Sequence, residues 1–93
     1  DIELRLVQET VNEANQMIYT AERFVEKNGQ HLSQDEINGT KQRIEDLRCL
    51  LNNKADRNSI NQQIELLNDY TRPFAERVMD IAIGQALKGK TLD

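Results

Sequence analysis

Between Ile2 and Asn28 the chain carries no Gly or Pro. Leu4, Val7, Val11, Ala14, Ile18, Ala21 and Val25 recur at spacings of three and four. That period puts one apolar stripe along an amphipathic helix over residues 2–28. At 1.5 Å per residue such a helix spans roughly 40 Å, long for a chain of this size. Asn28-Gly29 reads as its stop, with Gly29 expected in the left-handed conformation that closes a helix.

Ser33-Gln34-Asp35-Glu36 has the spacing of a capping box, in which the Ser33 hydroxyl and the Glu36 side chain satisfy each other's backbone amides. A second helix is predicted over 34–52, with Ile37, Thr40, Ile44, Leu47 and Leu51 on one stripe. Gly39 lies inside it at a cost of about 1 kcal/mol against Ala, which calls for a packing reason. Asn52-Asn53-Lys54-Ala55-Asp56 breaks the pattern, and Asp56 or Asn58 would cap a third helix. The third stripe runs Ile60, Ile64, Leu67, Thr71, Phe74, Val78 and Ile81, predicting a helix over 57–88. It keeps its phase through Pro73, so a bent but continuous helix is expected, kinked near 69–72 and ended by Gly89. Short connections make neighbours antiparallel. The fold class is therefore all-α: an antiparallel three-helix bundle with an overlong first helix and a Pro-kinked last one, in a single domain over 1–93. Its expected core is Val11, Ile18, Val25, Ile37, Ile44, Leu47, Leu51, Ile60, Ile64, Leu67, Phe74, Val78 and Ile81.

Two apolar segments do not fit at once. Val78, Met79, Ile81, Ala82, Ile83, Ala86 and Leu87 crowd more than half of a helix surface, which reads as the buried end of the last helix. At the other terminus, Ile2, Leu4, Leu6 and Val7 extend past what a shorter second helix can reach. Either the far end of helix three covers them or they project unburied.

Composition narrows the functions. The 93 residues, 38% apolar and 30% charged, suit one small folded domain rather than a disordered chain. The net charge is −4, and acids and bases are spread evenly: six and three in 1–28, five and four in 29–56, five and five in 57–93. No basic stripe exists, and Tyr19, Phe24, Tyr70 and Phe74 occupy core-like positions, so nucleic acid is not the partner. No apolar run approaches the ~20 residues of a spanning helix. A membrane-surface bundle would want Lys and Arg on its polar faces.

No catalytic or metal constellation is legible. His31 is the lone histidine, in the first connection, where a surface or capping role is expected. Cys49 has no CxxC partner and reads as a partly buried structural thiol. A single cysteine suits a reducing compartment, and hence a cytoplasmic location. Pairs such as Glu45–Arg48 and Asp69–Arg72 are solvated helix-face contacts worth tenths of a kcal/mol. Catalytic residues, metal ligands and cofactors are all expected to be absent from this chain.

The segments Phe74-Ala75-Glu76-Arg77-Val78-Met79-Asp80 and Ala86-Leu87-Lys88-Gly89-Lys90-Thr91-Leu92-Asp93 resemble the carboxyl end of HscA-type chaperones, the DnaK relatives linked to iron–sulfur cluster assembly. The resemblance extends more loosely over the whole chain. It implies the helical lid of a substrate-binding domain, a C-terminal piece of a longer chaperone whose other domains bind peptide and hydrolyse ATP with Mg. In that family the lid closes over bound peptide in the ADP state and opens with ATP. The lid face toward the peptide-binding domain would then include Ile2, Glu3, Arg5, Leu6 and Asn15. Asn15 stands where general DnaK proteins place an acidic latch residue, and an amide cannot form that ion pair. Client peptides, a J-type co-chaperone and an iron–sulfur scaffold protein are the implied partners. The alternative is a stand-alone helical adaptor that dimerises through helix one.

Overall fold

The computed structural model describes residues 1–90. Helix α1 spans Ile2–Asn28 and passes through a short 3₁₀ turn, Gly29–His31, to α2, Gln34–Asn52. After a four-residue break, α3 spans Arg57–Lys90, 34 residues without interruption at Pro73. The three helices pack on one another as an up-down-up bundle, as the stripes predict, so α1 and α3 run in the same direction.

The helix ends follow local chemistry. Asp1 caps α1 through the Glu3 amide. The Ser33–Glu36 capping box is complete in both directions, at 3.1 and 2.8 Å. Asp56 caps α3 by accepting from the Ser59 amide at 2.8 Å.

Two stops, at Gly29 and Gly89, differ from expectation. Gly29 is right-handed, with φ −55°, because the chain tightens into the 3₁₀ turn instead of reversing. The left-handed residue is Lys54, φ 54°. There the amides of Lys54 and Ala55 return to the carbonyls of Leu51 and Leu50 and close α2. Gly89 does not end α3, which continues to Lys90. Residues Thr91–Asp93 of the tail motif lie outside the described residues.

The core is a column of Ala14, Ile18, Ala21, Ile44, Leu47, Ile60 and Leu67, with Met17, Leu50, Leu51, Ala55 and Ile64 against it. Phe74 is buried beyond one end of that column. Val11, Val25, Ile37, Leu51, Ile64, Val78 and Ile81, also expected in the core, are half-buried. Thr10 and Thr40 are buried with their hydroxyls donated back to the carbonyls of Leu6 and Glu36, which satisfies both groups inside their own helices.

Gly39 has the packing reason its position demands. The Tyr70 ring lies on it, and a β-carbon there would sit 2.6 Å from Tyr70 Cζ and closer still to the hydroxyl. Arg43 stacks its guanidinium 3.7 Å from the centre of that ring, and Phe74 meets it edge-on at 5.2 Å. Tyr19, by contrast, is 60% exposed and not a core aromatic. Cys49 is exposed as well, with Asn53 Nδ2 3.6 Å from its sulfur, so it is no buried structural thiol.

Candidate interaction surfaces

The bundle is staggered. Arg77 of α3 donates to the His31 carbonyl, just past the C-terminal end of α1, at 2.9 Å. The part of α3 from residue 82 onward, exposed through residue 89, extends beyond that end of the bundle. The first turns of α1 lie at the opposite end, beyond the α2–α3 connection. The long dimension of 62 Å exceeds the roughly 51 Å of the longest helix, α3, as such an offset requires. The end of α3 thus cannot cover the start of α1, and both segments project.

At the α1 end, residues 2–9 are exposed except for half-buried Leu6. Leu4 and Val7 continue the core stripe of α1 onto this projection, at 68% and 37% exposure, and Ile2 stands at 73%. Glu3, Arg5 and Asn15 are exposed too. At about 100° per residue, Leu4 and Val7 lie on one side of this projection and Ile2 and Leu6 on another, so it carries apolar side chains on two sides, with Ile2 and Leu4 both largely exposed.

At the α3 end, the reading of Val78–Leu87 as a buried terminus is overturned. Residues 82–89 are all exposed. Val78 and Ile81 point toward the bundle and are half-covered, whereas Met79, Ile83 and Leu87 are 61%, 50% and 57% exposed. The breadth of apolar coverage comes from two faces of one helix, only one of which meets a neighbour.

Two polar contacts tie the helices to one another. Arg77 makes a two-pronged pair with Glu36, both contacts 2.8 Å, and Glu36 still accepts from the Ser33 amide. Chiefly because of the Arg77 guanidinium, with help from the Ser33 backbone, the Glu36 carboxyl titrates at about 2 instead of 4.5. Arg48 similarly spans Glu22 on α1 and Glu45 on its own helix, both at 2.8 Å, and its pKa is raised by those bonds. Sequence reading recognised Glu36 as half of a capping box and Arg48 as the partner of Glu45. The cross-helix halves of both contacts join residues far apart in the chain, and no local spacing announces them.

Among the described residues, no group of three or more His, Cys, Asp and Glu could hold a metal ion. No helix among them is long and apolar enough to cross a membrane.

Two chaperone proteins align with this chain over its whole length. An HscA homolog of Shewanella sediminis is 33% identical over 93 residues, and one of Shewanella sp. strain ANA-3 is 32% identical over 96. The chain spans about 15% of the length of these curated relatives. No family model and no solved structure matches it.

Proposed function

Because this chain is related, end to end, to the C-terminal region of DnaK/HscA-type chaperones, we propose that it is the helical lid of such a chaperone. The lid closes over a peptide held in a β-sandwich domain elsewhere in the longer protein. The observation that carries the reading is the start of α1, whose core stripe runs on exposed through Val7 and Leu4, with Ile2 exposed on the other side of the helix. A self-contained bundle has no use for such an extension. A lid needs it to reach its neighbouring domain; Ile2, Glu3, Arg5, Leu6 and Asn15, the residues expected toward that domain, are spread around the helix at about 100° per residue, so only some of them meet it at once. The uncharged Asn15 supplies a hydrogen bond and not an ion pair, so closure rests on the apolar residues more than on an electrostatic latch.

The lid itself does no chemistry. Its effect is kinetic, slowing release of a client peptide in the ADP state, with ATP and Mg bound in the nucleotide-binding domain of the parent. The finer assignment proposed with it, which follows the resemblance of the last-helix segments, is iron–sulfur protein maturation in the cytoplasm with a J-type co-chaperone and a cluster-scaffold client.

An antibody raised against this chain tests the reading on the native parent. A parent several times longer that is retained on ATP–agarose supports the lid. A parent barely longer than 93 residues and indifferent to ATP overturns it. That outcome would favour an adaptor dimerising through the same apolar face of α1.

A further inference from the structure

The outer face of the α3 projection is independent of the lid reading and has its own chemistry. Met79, Ile83 and Leu87 follow one another at single-turn spacing, on the side of the helix away from Phe74, Val78 and Ile81. Ala75, Glu76, Asp80 and Arg72 adjoin this stripe and, with Met79, line a shallow cleft of about 220 Å³. The charges are unevenly satisfied. Arg72 is committed to Asp69 at 2.9 Å, while Glu76 and Asp80 make no ion pair among the described residues. Those two carboxylates lie one turn apart on the helix, where like charges repel. The surface is therefore an apolar stripe with an uncompensated acidic border at one end.

We propose that this face docks a basic amphipathic segment of a partner protein, a helix presenting leucine-like side chains to Met79, Ile83 and Leu87 and Lys or Arg to Glu76 and Asp80. Helix-on-helix recognition of this kind reads anchors at i, i+3, i+4 and i+7. A second copy of this chain fits less well. Antiparallel self-pairing centred on the cleft sets Glu76 against Glu76. Three large apolar side chains also fall short of the roughly 800 Å² per partner of a standard stable interface. Docking here is accordingly weak and salt-sensitive, since the acidic border acts through screened charges.

The test uses a fluorescein-labelled peptide of about fourteen residues, leucines on one helical face and lysines on the other, titrated with this chain in fluorescence anisotropy. Saturable binding is expected. It should weaken about tenfold or more, the effect of losing one good anchor, in Ile83→Ser and in the Glu76→Gln/Asp80→Asn pair. Leu4→Ser on the other projection and Leu66→Ser on another face should bind as the parent sequence does. Ile83 is half-exposed, so its variant should keep its helicity by circular dichroism. Equal affinity in Ile83→Ser, loss in Leu4→Ser instead, or equal binding of a counterpart peptide with Glu for Lys would each overturn the proposal. So would a concentration-dependent mass in sedimentation that Ile83→Ser abolishes, which would make a second copy the occupant.

Discussion

Arg77 and Glu36, 41 positions apart, close a two-pronged ion pair that ties the far half of α3 to the first turn of α2. The same guanidinium holds the His31 carbonyl, and the same carboxylate holds the Ser33 amide. One contact thus joins α3, the 3₁₀ turn and the N-cap of α2 at the place where α3 leaves the bundle. Removing it should loosen how α3 projects as well as lower stability.

Glu36→Gln should lower Tm by a few degrees at neutral pH, and its pH dependence is the sharper check. The Glu36 carboxyl is depressed from 4.5 to about 2 in the folded state. The stability this confers is fully present above about 4.5 and is lost as pH falls toward 2. Thermal melts between pH 6 and 2 should therefore show a shallower acid loss in Glu36→Gln. Some acid loss will remain, because Asp56 is also lowered by its bonds to Ser59.

Gly39→Ala replaces a poor helix former with the best one, which alone would stabilise by about 1 kcal/mol. Its β-carbon would sit 2.6 Å from Tyr70 Cζ, so overpacking should win, with a net loss of about 1–3 kcal/mol. In a Tyr70→Ala background the same change should cost much less or become favourable. Denaturant titration of the four proteins reads this coupling directly.

Leucines separate by position and not by type. Leu47 is fully buried at the centre of the column, and Leu47→Ala should cost about 2–5 kcal/mol. Leu87→Ala, on an exposed face, should stay within about 0.5 kcal/mol. Paired urea melts distinguish the two.

Deleting residues 1–5 should leave the bundle folded, with little change in Tm. Thr10 is the first buried residue of α1, and its hydroxyl needs the Leu6 carbonyl, so a cut that reaches Leu6 begins to expose the bundle. A cooperative melt retained by the shorter deletion and weakened by removal of residues 1–10 would place the boundary there.

The three stripes and the caps were legible because periodicity and capping are local properties. Ser33, Glu36 and Asp56 do what their spacing says, and the bounds of α1 and α2 agree with the pattern. The stagger was not legible, because it depends on how three rods of unequal length slide past one another. Periodicity fixes which side of a helix is apolar but not how far its neighbours reach. Hence Val78–Leu87 read as buried although only Val78 and Ile81 in it are even half-covered. Gly29 and Gly89 read as stops because glycine permits left-handed backbone; permission is not a requirement, and Lys54 takes that conformation instead. Tyr19 and Cys49 were placed by residue type and are exposed for want of a neighbour at their positions. The projecting start of α1 was visible in the sequence only as a surplus of helix, because nothing local in its pattern says what it would meet.

If the start of α1 restrains a bound peptide, the rate at which a fluorescent client peptide leaves the full parent chaperone in ADP must depend on that apolar face. With Leu4→Asp and Val7→Asp introduced together, release should quicken by about tenfold or more, since two apolar contacts to the neighbouring domain are lost. ATP-stimulated release should change little. An unaltered release rate in ADP, with the variant still folded, would contradict the lid assignment.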